Sequence, residues 1–449
     1  MNFQSYAFIF VFLPLFLLAY FLCPKQKRFL PLLFSSWVFY GLLEFRALLL
    51  LWLIILIAFI VGQILHKTTH RRGWFFLGLG LNLAILFYFK YTTFGLTSLN
   101  QLLGTNLSIG QTLLPIGLSF YVFNAIAYLS DVYRGQTSPA QDFWTFATAM
   151  SFFASLLNGP LLRYSSLAPQ LVAPCSNQTD FSKGALRFMA GFCKKVLIAD
   201  AFAPLVHQCF SLTSSSSDIW FGAVLYSLQL YFDFSGYSDM AIGVALMLGI
   251  RLPENFNYPY CATSLTEFWQ RWHMSLSGFL KQYVYIPLGG NRHGEWRTYL
   301  HLLLTMLLGG LWHGANWTFV AWGAWNGAFL MLERWLKQRF QRPSPPIWYA
   351  LPKTFLIVIL GRLFFISPDL STAFSHFAAL FGSRGWHLSQ NVTLLATPER
   401  LILMLVAVIL CFPLRLELSR YQGLLLPLFW IAILFVAARE AVPFLYFRF

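Results

Sequence analysis

The chain has 449 residues, of which 58% are hydrophobic and only 10% charged, against roughly 25% charged in an ordinary soluble domain. Its apolar runs approach the ~20 residues that cross a bilayer as helix, which excludes a soluble globular enzyme and predicts an all-α integral membrane protein. Lys and Arg outnumber Asp and Glu by 31 to 16, a net charge of +15; in such a chain the excess marks cytoplasmic loops and contact with membrane lipid, not nucleic acid.

The six cysteines are scattered and form no CxxC pair, so neither a zinc site nor a disulfide framework is expected. The first span lacks a basic leader and a small-residue cleavage site, and is read as a retained span.

In chain order, residues 5–22 form a first apolar span ending at Lys25, Lys27 and Arg28. The positive-inside rule places that cluster in the cytoplasm and the N-terminus outside. Residues 29–43 return, and 47–65 enter again toward His66, Lys67, His70, Arg71 and Arg72. Residues 74–89 exit into a polar stretch, Thr92 to Gln111, expected to be external. Residues 112–130 come back to Asp131 and Arg134. Between 143 and 170 the triplet Asn158-Gly159-Pro160 breaks an apolar run, as in a bent or re-entrant segment enclosed by protein. Residues 219–250 carry Asp233 and Asp239, acids that need partners or water at membrane depth; they suggest a cavity lining, or helix-end capping.

Residues 262–297 mix aromatics with Arg271, Lys281, Arg292 and Arg297, the pattern of a cytoplasmic, interfacial amphipathic segment. Ser264 or Thr266 is its candidate cap. Residues 298–312 then head outward and 317–333 return. Residues 349–366 exit, 367–397 are external with 370–381 lying flat, 401–414 re-enter, and 424–449 hold the last span and the external end FLYFRF. The count comes to roughly ten to twelve transmembrane helices plus re-entrant and interfacial ones, in one domain over 1–449 without internal repeats.

The chain's focus is LLGGLWHGANWTFVAWGAW, Leu307 to Trp325, with a lone histidine, His313, among Gly309, Gly310 and Gly314 and four tryptophans. A histidine at membrane depth faces a cavity or a partner. It is either a packed, hydrogen-bonded side chain or a functional group beside which glycine lets another backbone or a ligand approach. No GxxxxGK[ST], GxSxG or HExxH occurs, so nucleotide, serine-hydrolase and zincin readings lack their local signals. No metal site is expected.

LLPIGLSF, DVYRG, GPLLRY, KKVLIADAF, QLYFDFSGYSDMAIG, PENFNYPY, FWQRWHMSLSGFL, YVYIPLGGNR, GGLWHGANWTFVAWG and the terminal PFLYFRF occur in that order. Together they resemble the membrane-bound O-acyltransferases, most of all their bacterial alginate O-acetylase type. The resemblance implies helices around a central tunnel in a multi-pass protein of the bacterial inner membrane. It implies an acyl group taken from a cytoplasmic thioester, with acetyl-CoA as donor substrate and no further cofactor. The acceptor would be an alginate-like exopolysaccharide, reached through a periplasmic acetyltransferase partner protein. Peptidoglycan or cellulose O-acetylation and D-alanyl transfer are the enzymatic alternatives. A transporter is the non-enzymatic one, though its paired broken-helix halves are missing.

On this resemblance His313 matches the active-site histidine, His273 the second family position, and Tyr446 of FLYFRF the residue proposed to hold the acyl group on its way out. Without it, FLYFRF reads as an interfacial aromatic belt. An imidazole titrates close to working pH, so His313 suits the general base that a hydroxyl needs to attack a thioester. Asn316, the Trp317 indole N–H and Asn326 are candidate donors to the oxyanion. Arg271, Lys281 and Arg292 are candidates for attracting the donor's phosphates at the tunnel mouth, or ordinary positive-inside charge. Two departures stand out. WGAWNG has Asn326 where relatives often carry His, and Asn cannot shuttle a proton; FASLLNGP lacks the Pro-Gln that relatives tend to have.

Overall fold

A computed structural model of the chain describes residues 1–108, 110, 113–211, 213–340, 345–414 and 417–438. Every regular element among them is helical, as the composition predicts. Four are long and apolar enough to cross a membrane alone: Phe45–Lys67, Arg71–Leu103, Ile347–Ile366 and Leu418–Ala438; Ala7–Leu22 is a shorter apolar helix. Other apolar runs fold as shorter helices. Leu118–Tyr133 has 16 residues, nearly all buried, as expected of a helix hydrophobic all round.

The chain divides into two compact units, residues 1–188 with 237–253, and residues 189–236 with 254–449. In the first, Phe45–Lys67 buries Ala47, Leu51, Ile54, Ile55, Ala58, Val61, Gly62 and Leu65, one stripe at helical spacing. Its opposite face is equally apolar, with Leu49, Leu53, Leu56 and Ile60 exposed. Apolar side chains on both faces have a use only where one face meets lipid.

The polar stretch Thr92 to Gln111 begins as helix. It continues as helix Thr92–Leu103 through a π turn at Phe87–Tyr91; the chain turns only at Gly104, whose φ of 65° is left-handed, a conformation open to glycine. The break around Asn158-Gly159-Pro160 is as expected. Helix Phe153–Leu156 stops, non-helical backbone runs to Arg163, and helix Tyr164–Val172 follows; residues 152–162 are buried. Asp239 is paired with Arg187, 2.9 Å away, beside Gly184 and Gly243. A Cβ on either glycine would lie 2.6 Å from the other's carbonyl oxygen. That acid therefore needs no cavity.

The second unit is built on the hairpin of Glu295–His313 and Trp317–Phe340, with Ile347–Ile366 beside it. Trp325 Nε1 donates to the Ile357 carbonyl at 2.9 Å. Asp233 and Lys195 form a buried ion pair at 2.6 Å, and Asp200 is a second partner of the same ammonium. Asp233 thus also has its countercharge, and neither acid acts as a cap.

Candidate active site

The hairpin owes its closeness to glycine. A Cβ on Gly310 would collide with the Phe319 carbonyl oxygen, and one on Gly323 would sit 2.5 Å from the Met306 carbonyl oxygen. Only hydrogen side chains let the two backbones approach this far. The first helix ends at His313, and Gly314 follows in extended conformation, where a Cβ would strike the Phe319 ring. The tight turn therefore fixes where His313 can point. Its imidazole is buried, 5% exposed, and lies edge-on to Trp312, Trp322 and Phe365 at centroid distances of 4.9, 5.0 and 5.2 Å.

His273 arrives from a different motif. Helix Leu265–Arg271 starts at Ser264, whose hydroxyl accepts from the Glu267 amide at 3.1 Å, so Ser264 is the cap of the two candidates. The Leu265 amide donates to Glu333 Oε2 at 2.8 Å, tying this helix to the second arm of the hairpin. Helix Met274–Leu280 follows at once, and His273 makes the joint with a φ of 43°. Asn255 holds the joint: its carbonyl accepts from the Met274 amide at 2.9 Å and its Oδ1 from the Ser275 hydroxyl at 2.9 Å. A left-handed, non-glycine residue costs on the order of 1–3 kcal/mol, a strain that clusters at functional sites. His273 is 1% exposed, 4.7 Å from Phe234 and 5.8 Å from Trp312. Trp312 thus touches both histidines.

The remaining predicted residues scatter. Asn326 is buried one turn beyond Trp322, to whose carbonyl its amide donates at 2.8 Å. Asn316 is engaged at both ends of its amide, donating to Pro368 O at 2.8 Å and accepting from the Thr318 amide at 3.0 Å. Trp317 is 49% exposed. Arg271 is ion-paired with Glu267 at 2.7 Å and also donates to the Asn257 carbonyl at 3.2 Å, so it clasps its own loop. Lys281 and Arg292 are exposed. Tyr446 and the rest of FLYFRF lie outside the described residues. No group of three or more His, Cys, Asp or Glu among the described residues is placed to hold a metal.

One side chain was missed. Arg362 is 2% exposed, and its guanidinium carbon sits 4.4 Å from the centre of the Trp272 ring and 5.8 Å from that of Phe365. Trp272 precedes His273, and Phe365 packs on His313. Arg362 is the single charge in the apolar run TFLIVILGRLFFI. A lone ionisable residue in such a run is itself a functional signal, though the Trp272 ring it stacks on comes from a distant part of the sequence.

Residues 142–367 match the membrane-bound O-acyltransferase family. The chain is 42% identical to a probable alginate O-acetylase AlgI of Pseudomonas putida, with all of both chains covered. It is 45% identical to a probable alginate O-acetylase AlgI of Azotobacter vinelandii, over 87% of this chain and 80% of that one. A peptidoglycan O-acetyltransferase of Helicobacter pylori is 36% identical over 87% of this chain and 82% of its own.

Proposed function

The chain belongs to the membrane-bound O-acyltransferase family and is an acyltransferase, and on that premise we propose that it takes acetyl groups from cytoplasmic acetyl-CoA and moves them across the bacterial inner membrane to O-acetylate an extracytoplasmic polysaccharide. The observation that carries the reading is the convergence of His273 and His313 on Trp312, inside an aromatic shell that excludes water. An alginate-like polymer is favoured, because the relatives of highest identity cited above bear the name alginate O-acetylase. The final transfer to the polymer falls to a periplasmic acetyltransferase partner.

His313 acts as general base. It takes the proton of the acceptor hydroxyl as the hydroxyl oxygen attacks the thioester carbonyl. The C–S bond breaks, and the proton passes to the departing thiolate. His273 borders the same space from the cytoplasmic segment and orients the thioester. Lys281 and Arg292, exposed cations on that segment, draw in the phosphates of the donor, while Arg271 contributes only as far as Glu267 releases it. CoA is too large and charged to follow its acetyl group, so the acetyl crosses on a relay, Tyr446.

Full-length protein reconstituted in vesicles, with labelled acetyl-CoA supplied on the cytoplasmic side, tests the reading. Label appearing on a hydroxyl acceptor on the opposite side is the expected result. Intact thioester with a folded protein contradicts it.

A further inference from the structure

We infer that Arg362 is the oxyanion-stabilising residue of this site: its guanidinium takes the negative charge that develops on the thioester carbonyl oxygen during acyl transfer. Arg362 is 2% exposed, and its Nε and Nη2 are buried without a hydrogen-bond partner among the described residues. Its polar neighbour is the Tyr260 hydroxyl, which itself donates to the Ser227 carbonyl at 2.6 Å. No carboxylate among the described residues pairs with it. Stacking over Trp272 returns much less than the burial of an ion costs, even after relaxation. Two buried, charged donors left over in an aromatic shell are a site for an anion, and a packing role leaves them unexplained.

The location says which anion. His273, Trp312, His313, Phe365, Arg362 and Trp272 form a closed circuit, each touching or adjoining the next. Arg362 is separated from the general base by one phenyl ring, and it adjoins the tryptophan that precedes His273. During transfer, a bond forms from the acceptor oxygen to the carbonyl carbon and the hydroxyl proton passes to His313. The carbonyl π electrons move onto oxygen, where Nε–H and Nη2–H of Arg362 hold them. They return as the C–S bond breaks and the thiolate leaves. Fixed donors aimed at developing charge in a dry site stabilise the transition state more than the ground state. Asn316, Trp317 and Asn326, the donors suggested by sequence, have their polar groups committed or half-exposed.

This inference rests on the acetyl-transfer reading, and the test separates the two. Acetyl-CoA turnover is measured on the purified full chain for wild type, Arg362→Gln, Arg362→Lys and His313→Ala. Arg362→Gln is expected to lower kcat by about 10²-fold with KM little changed, as for loss of one oxyanion donor, and Arg362→Lys to keep part of the rate. A raised KM with unchanged kcat overturns the inference, because it marks ground-state contact with the donor's phosphates. Full activity in Arg362→Gln beside an inactive His313→Ala overturns Arg362 alone. Full activity in His313→Ala overturns the reading beneath it. Should Arg362→Gln fail to fold, the infrared carbonyl stretch of labelled acetyl-CoA bound to His313→Ala decides. A band lowered in His313→Ala and lowered less in His313→Ala/Arg362→Lys, whose ammonium keeps part of the polarisation, is expected, and an unshifted band in His313→Ala overturns the inference.

Discussion

His273 and His313 both pack against the indole of Trp312, at centroid distances of 5.8 and 4.9 Å. Two residues far apart in sequence, one in a strained joint and one at a helix end, are thus positioned by a single ring. Misplacing a reacting group by about 1 Å costs around 10²-fold in rate, so Trp312→Ala should lower kcat for acetyl transfer about as far as loss of a histidine, while Trp312→Phe retains most of it. Kinetics of the two variants check this. Equal activity in both would show that the histidines are held by other contacts.

His273 carries a left-handed φ of 43°, which glycine adopts freely. His273→Gly and His273→Ala remove the same imidazole, but only glycine relieves the strain. The glycine variant should be the more stable of the two by roughly 1 kcal/mol, with transfer impaired in both. Thermal unfolding of the pair in detergent reads the difference.

The loop below His273 is held by Glu267. Burial pushes its carboxyl up, yet hydrogen bonds from the Thr263 amide and hydroxyl and from Arg271 outweigh burial and hold it below the usual carboxylate range. A carboxyl lowered in the folded state stabilises fully above its unfolded pKa and loses that stabilisation as pH falls through the folded value. Wild type should therefore lose its advantage over Glu267→Gln only in acid, below the ordinary glutamate range. The stability of both proteins measured against pH checks the sign.

Much of this was legible in the sequence. Hydropathy and charge marked a helical membrane protein, the triplet at 158–160 marked a break, and the WHG segment marked His313 as a candidate, which the structure buries against Trp312. The missing parts share a physical cause. The Thr92–Leu103 helix continues through a π turn, where the sequence shows only a polar stretch. Asp233 and Asp239 suggested a cavity because their cations, Lys195 and Arg187, come from elsewhere in the chain. Arg362 escaped because its neighbours, Trp272 and Phe365, assemble only in three dimensions.

Tyr446 is the proposed carrier. A phenol has a pKa near 10, so a phenyl ester is more activated than an alkyl ester and passes its acetyl group to a stronger nucleophile. Tyr446→Phe removes only the hydroxyl and should abolish delivery while insertion and acetyl-CoA binding persist. Mass spectrometry of the C-terminal peptide after incubation with labelled acetyl-CoA should find the label on Tyr446. An unlabelled peptide together with a fully active Tyr446→Phe would leave FLYFRF as an interfacial anchor.

The central claim is that His313 is the base that removes the acceptor's proton. The most direct measurement compares acetyl transfer from acetyl-CoA by purified wild type and His313→Ala, each shown to be folded and to bind the donor. Loss of a general base lowers the rate by roughly 10²–10⁴-fold, so that loss with unchanged acetyl-CoA binding is the predicted result. Near-normal transfer by folded His313→Ala would contradict the account.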